Sequence, residues 1–142
     1  MTTPDQHDTQ VPAAPRLATL RGNCMGAAVL LIVQFGLGIG LNLYVTLPAG
    51  KSFFATVFSS AALAVHAIVA LALLGAAISA LVRAIRVRRA VVFTAAGLAS
   101  IVVAAGAGVS FAGSQGNGAS LTMALATAVA MFCYLAAVFS LR

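Results

Sequence analysis

The stretch Arg83-Ala84-Ile85-Arg86-Val87-Arg88-Arg89 sets four arginines in seven positions between two long apolar runs. One arginine at the centre of a bilayer-spanning helix costs about 2.5–3.5 kcal/mol on insertion scales, so a block of four marks a membrane boundary. Upstream of it, 53–82 contains no Asp, Glu, Lys or Arg, and the same holds downstream for 90–113. Further out, 22–47 and 119–141 are equally free of those four residue types. A helix of about 20 residues crosses roughly 30 Å of hydrocarbon at 1.5 Å per residue, and each run is at least that long. Helices satisfy their own backbone polar groups, so continuous runs of this length are read as four membrane-spanning helices.

The connections are short. Pro48, Ala49, Gly50 and Lys51 read as one turn, and Ser114-Gln115-Gly116-Asn117-Gly118 as another, rich in residues that tolerate left-handed backbone. If the spans alternate in direction, Arg16, Arg21, the four arginines of 83–89 and Arg142 fall on one side and only Lys51 on the other. That asymmetry places both termini in the cytoplasm by the positive-inside rule. The expected fold is therefore all-α: an integral membrane, antiparallel four-helix bundle with N-in and C-in termini, in a bacterial cytoplasmic membrane. Residues 1–21, with Pro4, Pro12, Pro15 and both acids, read as a disordered cytoplasmic tail, and 22–142 as the transmembrane domain. The apolar run begins too late and extends too far for a cleaved signal peptide.

Composition excludes several classes of chemistry. Of 142 residues, 62% are apolar and 7% charged, against roughly 25% charged in a soluble domain. Asp5 and Asp8 are the only acidic residues. From Thr9 onward there is no side chain for paired-carboxylate hydrolysis, for carboxylate-held Mg²⁺ or Ca²⁺, or for an acidic proton relay. The net charge of +6 sits at the ends of apolar runs without interleaved aromatics, which argues against nucleic acid as a partner. Arg83, Arg86, Arg88 and Arg89 read instead as contacts to lipid headgroups. Cys24 and Cys133 lie far apart inside apolar runs and read as small buried hydrophobes.

Lipid provides no hydrophobic force between helices, so small residues and interhelical hydrogen bonds must hold the bundle. Gly22-x-x-x-Gly26 and Gly36-x-x-x-Gly40 in span one, and Gly97, Gly106 and Gly108 in span three, are expected at helix contacts, within the chain by preference, with packing between copies as the alternative. Asn23, Ala27, Gln34, Gly38 and Asn42 follow one helical face; Ser59, Ala62, His66, Ala70, Leu73 and Ala77 follow another; Ser120, Met123, Thr127 and Tyr134 a third. Counted from the basic ends, Gln34, His66, Thr127 and Met123 rise about 20 to 28 Å. With Asn42 they define one polar layer in the outer half of the bundle, the chain's candidate binding site.

His66 is the one ionisable group deep in a span, and its chemistry has two readings. It is a neutral imidazole hydrogen-bonded to Gln34, Asn42 or Thr127, with no cofactor, or it is an axial ligand of haem b with Met123 opposite. The first is preferred, because a haem b site ordinarily shows more histidines. A Ser or Cys nucleophile lacks an orienting carboxylate, and zinc lacks enough ligands.

The segment Asn42-Leu43-Tyr44-Val45-Thr46-Leu47-Pro48, a histidine in span two, and Ser120-Leu121-Thr122-Met123-Ala124 followed by Tyr134 resemble small four-span membrane proteins of actinobacterial type. The resemblance implies architecture only, since that group has no assigned activity to carry over. It does not extend to the small multidrug transporters, whose first helix needs an acidic residue. The expected role is non-enzymatic: an accessory or assembly subunit, or a homo-oligomer, partnered by the bilayer and by other membrane subunits or copies of itself. A haem-based electron carrier and a small channel or transporter using Gln34, Asn42, His66 and Thr127 are the alternatives.

Overall fold

The computed structural model describes residues 13–45 and 53–142. They form five helices: α1 (Ala13–Tyr44), α2 (Phe53–Val57), α3 (Ala61–Val87), α4 (Val91–Ser114) and α5 (Asn117–Ser140). Four of them, all but α2, are long and apolar enough to cross a membrane, and the chain is a multi-pass membrane protein. The turn expected at Pro48 to Lys51, and most of the expected N-terminal tail, lie outside the described residues.

The helix count along the bilayer agrees with the sequence, but three boundaries move. Helix α1 starts at Ala13, nine residues before the expected Gly22, so 13–21 are helical and not tail. Pro15 sits in the first turn, where a missing N–H leaves no helical bond unmade, and alanine and arginine are strong helix formers. Hydropathy places the membrane boundary near Arg21; it does not place the helix boundary. At the other end of the bilayer the run 53–82 is broken. Ser60 caps α3, its Oγ accepting from the Leu63 N–H at 3.2 Å, and the Ser59 hydroxyl donates to the Thr56 carbonyl at 2.7 Å. Two adjacent serines compete with helical hydrogen bonding and start a new helix.

The third shift is in the arginine block. Helix α3 continues through Arg83 and Arg86 to Val87. It stops where Arg88 turns left-handed at φ 53°, its N–H donating to the Ala84 and Ile85 carbonyls, while the Arg89 N–H donates to Ala84 at 3.1 Å. Ala90 is left-handed too, at φ 57°. A residue with a Cβ costs roughly 1–2 kcal/mol in this region, so the tight α3–α4 connection is strained at two positions. Thr94, fully buried in the next turn, donates to the Ala90 and Val91 carbonyls at 3.1 Å each.

The four long helices close a ring: α1 packs on α3 and α5, and α4 packs on α3 and α5. Along α1 and α3, Asn23 meets Ser79 and Gln34 meets His66. Along α4 and α5, Gly97 meets Tyr134 and Gly108 meets Met123. In each pair one residue number rises as its partner falls.

The core sits at the arginine end. Leu20, Cys24, Ala27 and Leu31 of α1, Ala77, Ala80 and Ala84 of α3, Ile101 of α4, and Ala130, Tyr134 and Ala137 of α5 are buried together. Small side chains let the backbones approach, and the Tyr134 ring fills the centre. It lies so close to α4 that a Cβ on Gly97 would stand 2.7 Å from its Cε2. Cys24 and Cys133 are buried and free, as small hydrophobes would be.

Candidate functional site

The half of the bundle away from the arginines holds the expected polar layer, in part. The Gln34 amide nitrogen donates to the His66 ring at Nε2, 3.0 Å, and to the His66 backbone carbonyl at 3.2 Å. An amide nitrogen can only donate, so the ring Nε2 accepts and the imidazole proton lies on Nδ1. Both nitrogen-borne hydrogens of Gln34 are consumed by one residue of the neighbouring helix. Two atoms remain buried without partners: the Gln34 Oε1 acceptor and the His66 Nδ1 donor. Gly38, one turn beyond Gln34, faces the ring; a Cβ there would make ordinary contact with His66 Cε1 at 3.6 Å.

The other predicted members stand apart from this pair. Thr127 is buried, but its hydroxyl donates to the Met123 carbonyl on its own helix at 2.8 Å. The Met123 sulfur packs toward Gly108 of α4, where a Cβ would lie 3.6 Å away. Asn42 is exposed. His66 and Met123 belong to α3 and α5, which face each other across the ring and share α1 and α4 as packing neighbours. The His66 Nε2 is engaged by Gln34, and among the described residues no group of three or more His, Cys, Asp or Glu side chains is placed to hold a metal ion. Chemically, the pair is a hydrogen-bonded clamp between α1 and α3 with one spare donor and one spare acceptor.

The arginine block, read as one cluster, is divided by the fold. Arg83 and Arg86 lie on α3 beside Arg16 of α1, lining a cleft of about 590 Å³ with Pro15, Thr19 and Val87. Arg89 and Arg142 line a separate hollow with Leu17, Ser140 and Leu141. Arg88 occupies the strained turn between them. Arg142 also lies over the Phe139 ring, 4.5 Å from its centroid.

Two participants were not legible in advance. Arg16 was assigned to the tail, because hydropathy has no sense of where a polar helix begins. Ser79 accepts hydrogen bonds from Asn23 of α1 at 3.1 Å and from Arg83 Nε at 3.5 Å. Its signal was its place four residues before Arg83, one helical turn away on the same face. No protein-family model, no curated protein and no solved structure matches the chain.

Proposed function

We propose that this chain is a non-enzymatic subunit of a bacterial cytoplasmic membrane, an antiparallel four-helix bundle with both termini inside, that works by associating with further membrane helices. The opposed numbering of partners along α1/α3 and α4/α5, and the arginines gathered at one end, support that topology. One observation carries the assembly reading. Among the described residues, the glycines expected at helix contacts, Gly22, Gly26, Gly36 and Gly40, have no other side chain or helix within 4 Å of where a Cβ would stand. With Val29 and Val33, 52% and 46% exposed, they repeat at spacings of four and three along α1. That is a heptad seam of small residues, the pattern by which membrane helices approach closely, and the chain's own helices leave it uncovered.

The partner is a second copy or a companion subunit, and native mass spectrometry of the full chain extracted in mild detergent distinguishes them. A species heavier than one chain is expected, and Gly26→Leu with Gly36→Leu should reduce it to the single chain without loss of helicity. A wild-type monomer both in detergent and in lipid nanodiscs would overturn the reading. A second reading, a small channel or transporter, draws on the spare Gln34 Oε1 and His66 Nδ1. Liposome flux that is unchanged by Gln34→Leu and His66→Phe would dispose of it.

A further inference from the structure

We infer that the cleft between the start of α1 and the end of α3 is a binding site for the phosphate of an anionic membrane lipid, built by Arg16, Arg83 and Arg86. This goes beyond the assembly reading and is independent of it, since a monomer in a bilayer would hold the same lipid.

Three observations converge. The first is the absence of any carboxylate side chain among the described residues. Three guanidinium-bearing residues from two helices line one cleft, and the sequence offers no carboxylate side chain after Asp8. Like charges so gathered repel each other unless an anion lies between them, and no side chain among the described residues supplies one.

The second is orientation. Arg83 spends its Nε on Ser79, which in turn is held by Asn23 across the α1–α3 contact. Its two terminal nitrogens carry four further N–H donors, a fork of the kind that binds phosphate oxygens in pairs.

The third is depth. At 1.5 Å per residue, the 32 residues of α1 extend about 48 Å and the 27 of α3 about 40 Å, both longer than a hydrocarbon core of about 30 Å. Their surplus lies at the arginine end, where α1 and α3 run side by side. The cleft therefore opens at headgroup level, with Pro15, Val87 and the aliphatic stems of the arginines as its apolar wall. A free phosphate would find the charges there, but only a lipid would also place its chains along the exposed faces of Met25, Val82 and Ile85.

Arg88 provides the internal control, because it belongs to the same sequence block yet does not line the cleft. The test uses the full chain in mild detergent mixed with phosphatidylglycerol and phosphatidylcholine, with lipid retained per chain counted by native mass spectrometry. Preferential retention of phosphatidylglycerol is expected, falling about fivefold for each of Arg16→Gln, Arg83→Gln and Arg86→Gln, and unchanged in Arg88→Gln. Ser79→Ala should give a smaller loss, about twofold, by releasing Arg83. Circular dichroism and gel filtration confirm that each variant is folded, and a variant that fails them is replaced by the corresponding Lys substitution, which keeps the charge and loses the fork. Equal retention of the two lipids, or an equal loss in Arg88→Gln, would overturn the site in favour of diffuse surface charge. Displacement of the lipid by inorganic phosphate at equal concentration would overturn the lipid as its occupant.

Discussion

The two ends of the bundle are held together by different means. At the arginine end, Ala27, Ala77, Ala80, Ala84, Ala130 and Ala137 are fully buried around one tyrosine. Toward the opposite end Thr56 of α2 is buried but no residue of 32–45, 61–72 or 102–126 is, and α1 and α3 are joined by the Gln34–His66 clamp. The first half is closed chiefly by tight contact, and in the second the α1–α3 pair relies on hydrogen bonding. In lipid the two are not equivalent. Dispersion between close-packed backbones is gained over the whole contact, whereas an interhelical hydrogen bond averages about 0.6 kcal/mol.

The comparison can be broken most forcefully at Tyr134. Tyr134→Ala empties the centre of the packed half and should cost about 3–5 kcal/mol in reversible unfolding from mixed micelles. Gly97→Ala comes next: its Cβ would collide with the tyrosine ring and the helix backbone cannot yield, so a loss of about 1–3 kcal/mol is expected. The matched change in the other half, Gly106→Ala, meets no neighbour and should leave stability intact or raise it slightly. If Gly97→Ala and Gly106→Ala behaved alike, the distinction between the two halves would be lost.

The clamp sharpens the contrast. A double-mutant cycle of Gln34→Leu and His66→Phe should give a coupling of about 0.6 kcal/mol, below either change in the packed half. The smallest effect is expected from Tyr134→Phe. The Tyr134 hydroxyl is buried without a hydrogen-bond partner, so its removal discards an unmet polar group and should not lower the unfolding midpoint. A clear drop would reveal a partner that the packing does not show.

Much of the inner surface was legible in advance. Asn23, Ala27, Gln34 and Gly38 on span one, His66, Leu73 and Ala77 on span two, and Thr127 and Tyr134 on span four do face other helices. Polar side chains are costly in hydrocarbon, so their spacing marks an inward face. Asn42 misled because it lies near the end of α1, where a polar group meets the interface and need not turn inward. Ser59 misled because the serine pair ends one helix and begins another, so the face of α3 does not continue through it, and Ala62, in the first turn of α3, is exposed. The glycine pairs misled most. Smallness permits close approach but does not say to what, and on α1 it faces away from the chain's own helices.

The number of spans and the side on which the arginines gather were fixed by the sequence. Transfer of a segment into lipid depends on its own composition, and each run is apolar enough to be judged by itself. Which residues meet across each contact was decided only by the tertiary structure. A few polar side chains mark an inward face, but the rest of each helix is apolar, and lipid does not say which neighbour it meets. The fit of distant side chains then decides: Tyr134 against Gly97, Ser79 between Asn23 and Arg83, and Arg16 brought from another helix to complete a cleft that no local window of sequence contains.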